Sequence, residues 1–217
     1  MSISQITVGG NSVSLIALPT TPALRSMQFS ASDAVAIVSS PFTGQTQAQQ
    51  WPGGDMWSGT AALPPLKAAD ADAWVAFLME LRGMANAFQL GDPMKATPRG
   101  TPAGTPLTDN SVASTNAAMS QALGTKGWTA SANNLLLPGD CIQVGYRLYK
   151  VLDAVSSDAS GKASIAVWPS LREQPADGAA VITSNAVGLW RLANNKRDWS
   201  ADFTRLTAIS FQFREYR

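Results

Sequence analysis

The chain has no histidine and a single cysteine, Cys141. Without imidazole, every His-dependent triad and histidine general base is excluded. So is any Cys/His metal site. One cysteine cannot form an intrachain disulfide, and Cys141, in an apolar stretch after Pro138-Gly139-Asp140, reads as a packed small hydrophobe. Glutamate is scarce, with only Glu80, Glu173 and Glu215. The aspartates fall mostly in turns, where carboxylates bond local backbone. No carboxylate pair stands out as the raised-pKa acid and partner of a glycosidase. Asp140, Asp158 and Asp177 lack the D-x-D-x-D-G spacing of a calcium loop. There is no G-x-S-x-G elbow and no Gly-Lys-Ser/Thr phosphate loop. The expectation is a protein that is not an enzyme and needs no cofactor or metal.

Charge is also sparse. Charged residues are 14% of the 217, against roughly 25% in average soluble chains, and the formal net charge is +1. A nucleic-acid reader would carry a basic stripe. Here Arg205, Arg214 and Arg217 gather only towards the C-terminus, where they read as a solvated strand edge. A surface so poor in charge suits one that partners cover, because free monomers keep charge for solubility. No apolar run approaches the roughly 18 residues of a membrane span, and residues 1–10 lack the basic and long apolar regions of a secretory signal. Assembly in the cytoplasm is therefore expected, without membrane insertion.

What is present is mostly β pattern. Ile3, Ile6 and Val8, then Gly9-Gly10-Asn11, then Val13 and Leu15 describe strands about a turn. Met27, Phe29 and Ala31 alternate with polar residues, and Val35 to Val38 continues as an apolar run. Thr43 to Gln50 has no apolar face. Trp51 and Trp57 flank the turn Pro52-Gly53-Gly54-Asp55 and are placed to meet across a hairpin. This polar, aromatic-tipped hairpin suits an extended arm or a sheet face covered by another subunit, or else an ordinary surface hairpin. As an arm it makes Trp51, Met56 and Trp57 candidates for an oligomer interface. Trp74, Phe77, Leu78 and Leu81, spaced i, i+3, i+4, i+7, predict one helix over 68–83 with a core-facing stripe. Asp70 and Asp72 sit at its start, and Arg82 and Gly83 at its end. A short strand is expected at 85–90.

Composition then shifts to the Pro/Gly/Thr linker Thr97–Pro106. Ser111 to Leu123 reads as either helix or strand, and Gly127-Trp128 as the start of a strand. Leu135–Tyr146, Lys150-Val151-Leu152 and Ala163–Trp168 read as apolar strands about the turn Asp158–Gly161. After Pro175–Gly178, Gly188–Leu192 is a strand and Trp199 is expected to enter the core. Ile209, Phe211 and Phe213 alternate with Ser210, Gln212 and Arg214, the cleanest strand signal in the chain. The fold expected is mainly β with one packed helix. Residues 1–93 and 173–217 form one domain, and 94–172 a small inserted β-module. Trp128, Tyr146, Tyr149 and Trp168 are available in that insert as carbohydrate-stacking platforms or as core aromatics.

Several stretches, in this order, resemble one family. They are Trp57–Leu66 (WSGTAALPPL), the helix with Ala73-Trp74, Phe77-Leu78 and Leu81-Arg82-Gly83, then Phe88–Pro93 (FQLGDP), Leu137-Pro138-Gly139-Asp140, Asp158–Gly161 and Trp168–Arg172 (WPSLR). Together, over roughly residues 25–193, they are similar to the distal tail proteins of long-tailed (siphovirus-type) bacteriophages. The resemblance implies a tail-tube-like β-sandwich flanked by one helix, plus an inserted barrel that is OB-like or galectin-like, the short insert favouring OB-like. It implies a homo-hexameric ring in the virion, at the tail tip. There the ring would join the tail-tube protein to hub and tip proteins, with DNA passing through the lumen unbound. A tail-tube subunit and a carbohydrate-binding tail module for host attachment are the alternatives.

Overall fold

The computed structural model describes residues 3–51, 53–111, 116–201 and 205–217. Over these residues the chain is mainly β with one α-helix. Strands β1 (Ile3–Val8) and β2 (Asn11–Ile16) form a hairpin. Its turn is Gly9-Gly10, with φ of 58° and 80°, a region L side chains avoid. Strand β3 (Ser26–Ser32) runs on into β4 (Val35–Ser39) and β5 (Thr46–Gln50), and β6 (Met56–Ala62) returns beside β3. Helix α1 (Ala68–Glu80) and β7 (Phe88–Leu90) follow. The middle of the chain holds β8 (Gly104–Thr108), β9 (Ala122–Trp128), β10 (Cys141–Val144), β11 (Arg147–Val151), β12 (Ala163–Trp168) and β13 (Val181–Ile182). Strands β14 (Gly188–Leu192), β15 (Trp199–Ala201) and β16 (Thr207–Glu215) complete the order.

The first sheet runs β3-β6-β16-β14-β7, every neighbour antiparallel. Strands from the beginning and end of the sequence therefore share one scaffold. In β16 the residues Ile209, Phe211 and Phe213 are buried while Ala208, Ser210 and Gln212 face outwards, the period-two pattern of a sheet with one covered face. Helix α1 supplies the cover. The Trp74 ring lies 6.3 Å from Phe211 and Phe77 5.7 Å from Phe88. Trp74, Phe77, Leu78 and Leu81 are all buried, and each large apolar side chain so removed from water contributes roughly 2–3 kcal/mol. The helix stops at Glu80, short of the expected residue 83. Arg82 and Gly83 adopt φ of 49° and 68°, and the Asn86 side-chain amide donates to the Glu80 carbonyl at 2.8 Å. This left-handed exit ends the helical ladder and leaves Arg82 outside the last turn. Asp70 lies in the first turn and Asp72 beyond it.

The second sheet runs β13-β10-β11-β12-β9-β8 and curls until its edges meet. Leu107 bridges Ala180, and Thr108 exchanges backbone bonds with Gly178 (3.0 Å) and Ala179 (2.9 Å). The result is a nearly closed, six-stranded, barrel-like sheet, an arrangement that leaves little open strand edge. Leu123, Ile142, Val151, Ile165, Val167 and Val181 fill it.

Several local expectations change. The barrel chain runs past residue 172, because β13 belongs to this sheet. Gly127-Trp128 ends β9 rather than beginning a strand. Of the ambiguous stretch 111–123, residues 112–115 lie outside the described set, and Ala122-Leu123 enter β9 as strand. Asn116 is buried there, accepting from Gly124 N at 2.7 Å and donating to the Asp109 carbonyl at 2.9 Å. Trp199 is 42% exposed, paired in the short β15 and not inserted in the core.

Candidate interaction surface

Strands β3 and β6 pair along their whole length, and the chain between them departs as a second hairpin, β4–β5. Every described residue of β4 and β5 is exposed. Residues 34–54 carry no charged side chain. Apolar groups stand in solvent along this arm: Ile37 at 68% exposure, Val38 at 69%, Phe42 at 95% and Trp51 at 69%. Single exposed apolar residues are ordinary, but four on one uncharged hairpin make this arm the candidate interaction surface.

The expected interface trio separates. Trp51 is on the surface at the arm's return, where its N–H donates to the Ala34 carbonyl at 2.8 Å. Met56 is half-buried. Trp57 is buried and so is removed from the exposed surface of this chain. It does not face Trp51 across a hairpin, because its strand partner is Ala31. Its indole stands edge-on to Trp168 at 4.5 Å and donates to the Leu148 carbonyl at 3.3 Å.

Trp57 thus belongs to the joint between scaffold and barrel. All four residues of β10 are buried, because both of its faces are covered. Ile142 and Val144 point into the barrel, whereas Cys141, with Leu148 of β11, joins the scaffold core around Trp57 and Trp190. Burial raises the Cys141 thiol pKa, which disfavours the reactive thiolate.

A polar cluster occupies the same joint. Arg172 grips Glu215 through Nε and Nη2, at 2.9 and 2.6 Å, and meets Asp55 Oδ1 at 3.2 Å. The Ser170 hydroxyl donates to Asp55 Oδ1 at 2.7 Å, and the Ser170 backbone N–H donates to Oδ2. Arg147 donates to the Tyr216 carbonyl and lies 3.9 Å from Glu215. Burial opposes ionisation of Asp55, but the two Ser170 bonds and the Arg172 guanidinium outweigh it and hold the carboxyl below its ordinary range. Burial likewise opposes the Arg172 charge, and Glu215 and Asp55 raise its pKa nonetheless. A carboxylate held ionised and bonded on both oxygens is built for attachment and not for proton exchange at neutral pH.

The insert's aromatics are mostly committed to packing. Trp128 is buried with Nε1 on Thr125 Oγ1 at 2.8 Å. Tyr149 is buried, and its hydroxyl is pushed up to about 12 by desolvation. Trp168 packs on Trp57 and bonds Asp33. Tyr146, half-buried, lines a cleft of about 460 Å³ between the β1–β2 turn and the barrel, with Arg147 and Leu171.

Among the described residues no cluster of three or more His, Cys, Asp or Glu side chains is arranged to hold a metal ion, and no helix is long and apolar enough to cross a membrane. The joint residues Asp33, Asp55, Ser170, Arg172 and Glu215 form a site that sequence spacing does not group. One signal was available. Asp33 and Asp55 are the charges that bracket the uncharged stretch. No protein-family model matches the chain, and no curated protein matches it.

Proposed function

We propose that this chain is a structural subunit of a bacteriophage tail, a distal tail protein. It forms a homo-hexameric ring at the end of the tail tube and joins the tube to the hub and tip proteins. The observation that carries the reading is the uncharged arm at 34–54, which presents Ile37, Val38, Phe42 and Trp51 to solvent and so lacks a cover that a partner would supply. The ordered resemblance from Trp57 to Arg172 names a family whose members form six-copy rings, and in this reading a neighbouring subunit supplies that cover. A mainly β scaffold with one helix is compatible with the tail-tube-like domain of that family. In this reading the barrel-like sheet is the family's inserted module. Its six strands exceed by one the five of an OB-fold, so the OB-like identity rests on the resemblance. The sparse charge suits a ring whose lumen lets DNA pass unbound, and the virion tail tip is the proposed location.

Edge pairing between copies would hold such a ring, since β3 lies at the end of its sheet with one backbone edge unpaired by any other strand described. Mass photometry of the purified chain, with electron microscopy of assembled tails, tests this. The expected result is a closed six-fold ring present once or twice per particle. Many stacked copies per tail would identify a tube subunit instead, and a monomer within assembled tails would overturn the ring.

A further inference from the structure

The arm leaves and re-enters the scaffold at two acidic residues, and one short segment of the barrel holds both. At the outgoing root, Asp33 Oδ1 accepts from Trp168 Nε1 at 2.8 Å. At the returning root, Asp55 accepts from the Ser170 hydroxyl and backbone N–H and from Arg172. Arg172 also donates through Nη1 to the Gly53 carbonyl at 3.4 Å and through Nη2 to the Asp55 carbonyl. Trp168, Ser170 and Arg172 lie at alternate positions of one segment leaving β12. Between the two roots, β4 and β5 pair with each other and, among the described residues, with no other strand.

We propose that residues 168–172 of the barrel act as a clamp that fixes the direction in which the 34–54 arm projects, so that arm and barrel move as one body. A two-stranded hairpin on its own is marginally stable in water, and its attitude is only as fixed as its roots. Here the roots are tied across the module joint to the barrel. A load on the barrel would therefore re-aim the arm, and a partner seated on the arm would restrain the barrel. Trp168 and Asp33 are positioning residues in this device. The inference concerns contacts inside one chain and holds whatever the arm meets, so its failure is separate from failure of the ring.

The test uses the full chain carrying nitroxide labels at Thr43→Cys, at the arm tip, and Ser160→Cys, on a barrel turn; both sites are exposed, and the native Cys141 is buried. Labelled protein is diluted into excess unlabelled protein so that pulsed dipolar distances are intramolecular. The parent should give one narrow distance distribution. Asp33→Ala and Trp168→Phe each remove one partner of the outer-root bond while leaving Asp55 in place. Both should broaden the distribution and speed amide exchange over residues 46–51 by up to about tenfold, the opening that one lost net hydrogen bond allows. Asp33→Asn keeps an acceptor and should restore the parent behaviour. Near-ultraviolet circular dichroism and the thermal midpoint verify that both cores persist. An unchanged distribution in both disrupting variants overturns the clamp. So does equal broadening in Asp33→Asn, which would make charge and not the bond responsible.

Discussion

Two antiparallel strand pairs follow one another in the same excursion of the chain and meet opposite fates. The pair β3–β6 has Trp57 and Ala61 buried and Phe29 ringed by Trp57, Trp190 and Phe213. The pair β4–β5, continuing from its end, buries nothing. Backbone pairing is the same in both. What differs is the face: β3–β6 alternates apolar with polar and packs its apolar face into the scaffold core around Trp190 and Phe213, whereas Val35–Val38 is paired with the all-polar Gln47–Gln50 apart from Ala48. Strand pairing alone gives a marginal hairpin, and side-chain burial makes the first pair part of a core. The contrast assigns stability to β3–β6 and, in the proposed reading, recognition to β4–β5, and each can be disturbed without the other.

The largest effect is expected in the scaffold. Phe213 touches Phe29, Phe88 and Trp190, and Phe213→Ala should lower unfolding free energy by about 3–5 kcal/mol, the range for large aromatic truncations in cores. Denaturant titration measures it. A loss under about 1 kcal/mol would show that the site collapses or that the sheet is not packed as described. Because Cys141 and Leu148 join the barrel to this core, Ile165→Ala in the barrel should cost about 2–4 kcal/mol and shift the same single transition. Two separated transitions would mean that the joint does not couple the modules.

The next effect is at the joint and depends on pH. Asp55 has a folded-state pKa below its ordinary value, with burial opposed by Ser170 and Arg172. Such a group adds stability above the unfolded-state pKa near 3.9, and that contribution is lost as pH falls through the folded value. Asp55→Asn should therefore be less stable than the parent at pH 7, by about 1–3 kcal/mol, the scale of a buried charged hydrogen bond. The two proteins should converge as pH falls below the ordinary carboxylate range and Asp55 of the parent protonates. A gap that widens in acid would have the sign wrong and would remove Asp55 from the account of acid stability.

Local periodicity made part of this fold legible. In Ile209–Phe213 every second residue is apolar, and in Trp74–Leu81 the apolar residues recur with helical spacing. Both signals need only a few neighbouring residues, and both segments adopt the expected form. The two-residue β13 carries no periodicity at all, so the run of barrel chain past 172 was unreadable. Trp57 departs from its local pattern for a different reason. Pro52-Gly53-Gly54-Asp55 looks like a hairpin turn between Trp51 and Trp57, but Ala31 takes the place opposite Trp57, a choice made by the core and not by the turn. Trp199 shows the same limit, since its neighbours allow burial without requiring it. The joint was hidden by distance: Asp55 and Ser170 are 115 positions apart, and nothing local marks them as partners. The arm lay between these extremes. Its lack of charge is plain in the sequence, but its exposure is known only once every apolar face nearby is accounted for.

The smallest effect on stability carries the most information about function. Val38 is 69% exposed and opposes Gln47, so Val38→Ser removes little buried area and should change unfolding free energy by no more than about 0.5 kcal/mol, as surface substitutions do. The same holds for Phe42→Ser at the arm tip. If the arm's apolar groups are covered by a neighbouring copy in the assembled ring, the pair of substitutions should nevertheless weaken assembly strongly, because exposed apolar groups desolvated at a contact centre carry much of its energy. The double variant is therefore expected to melt with the parent and to appear as a monomer by mass photometry at concentrations where the parent forms rings. Parent-like rings from the double variant would break the division between the two hairpins, since the exposed pair would then contribute neither to the fold nor to assembly. Partial rings that close only at higher concentration would sharpen it, assigning the arm a share of the contact and leaving the remainder to the open edge of β3.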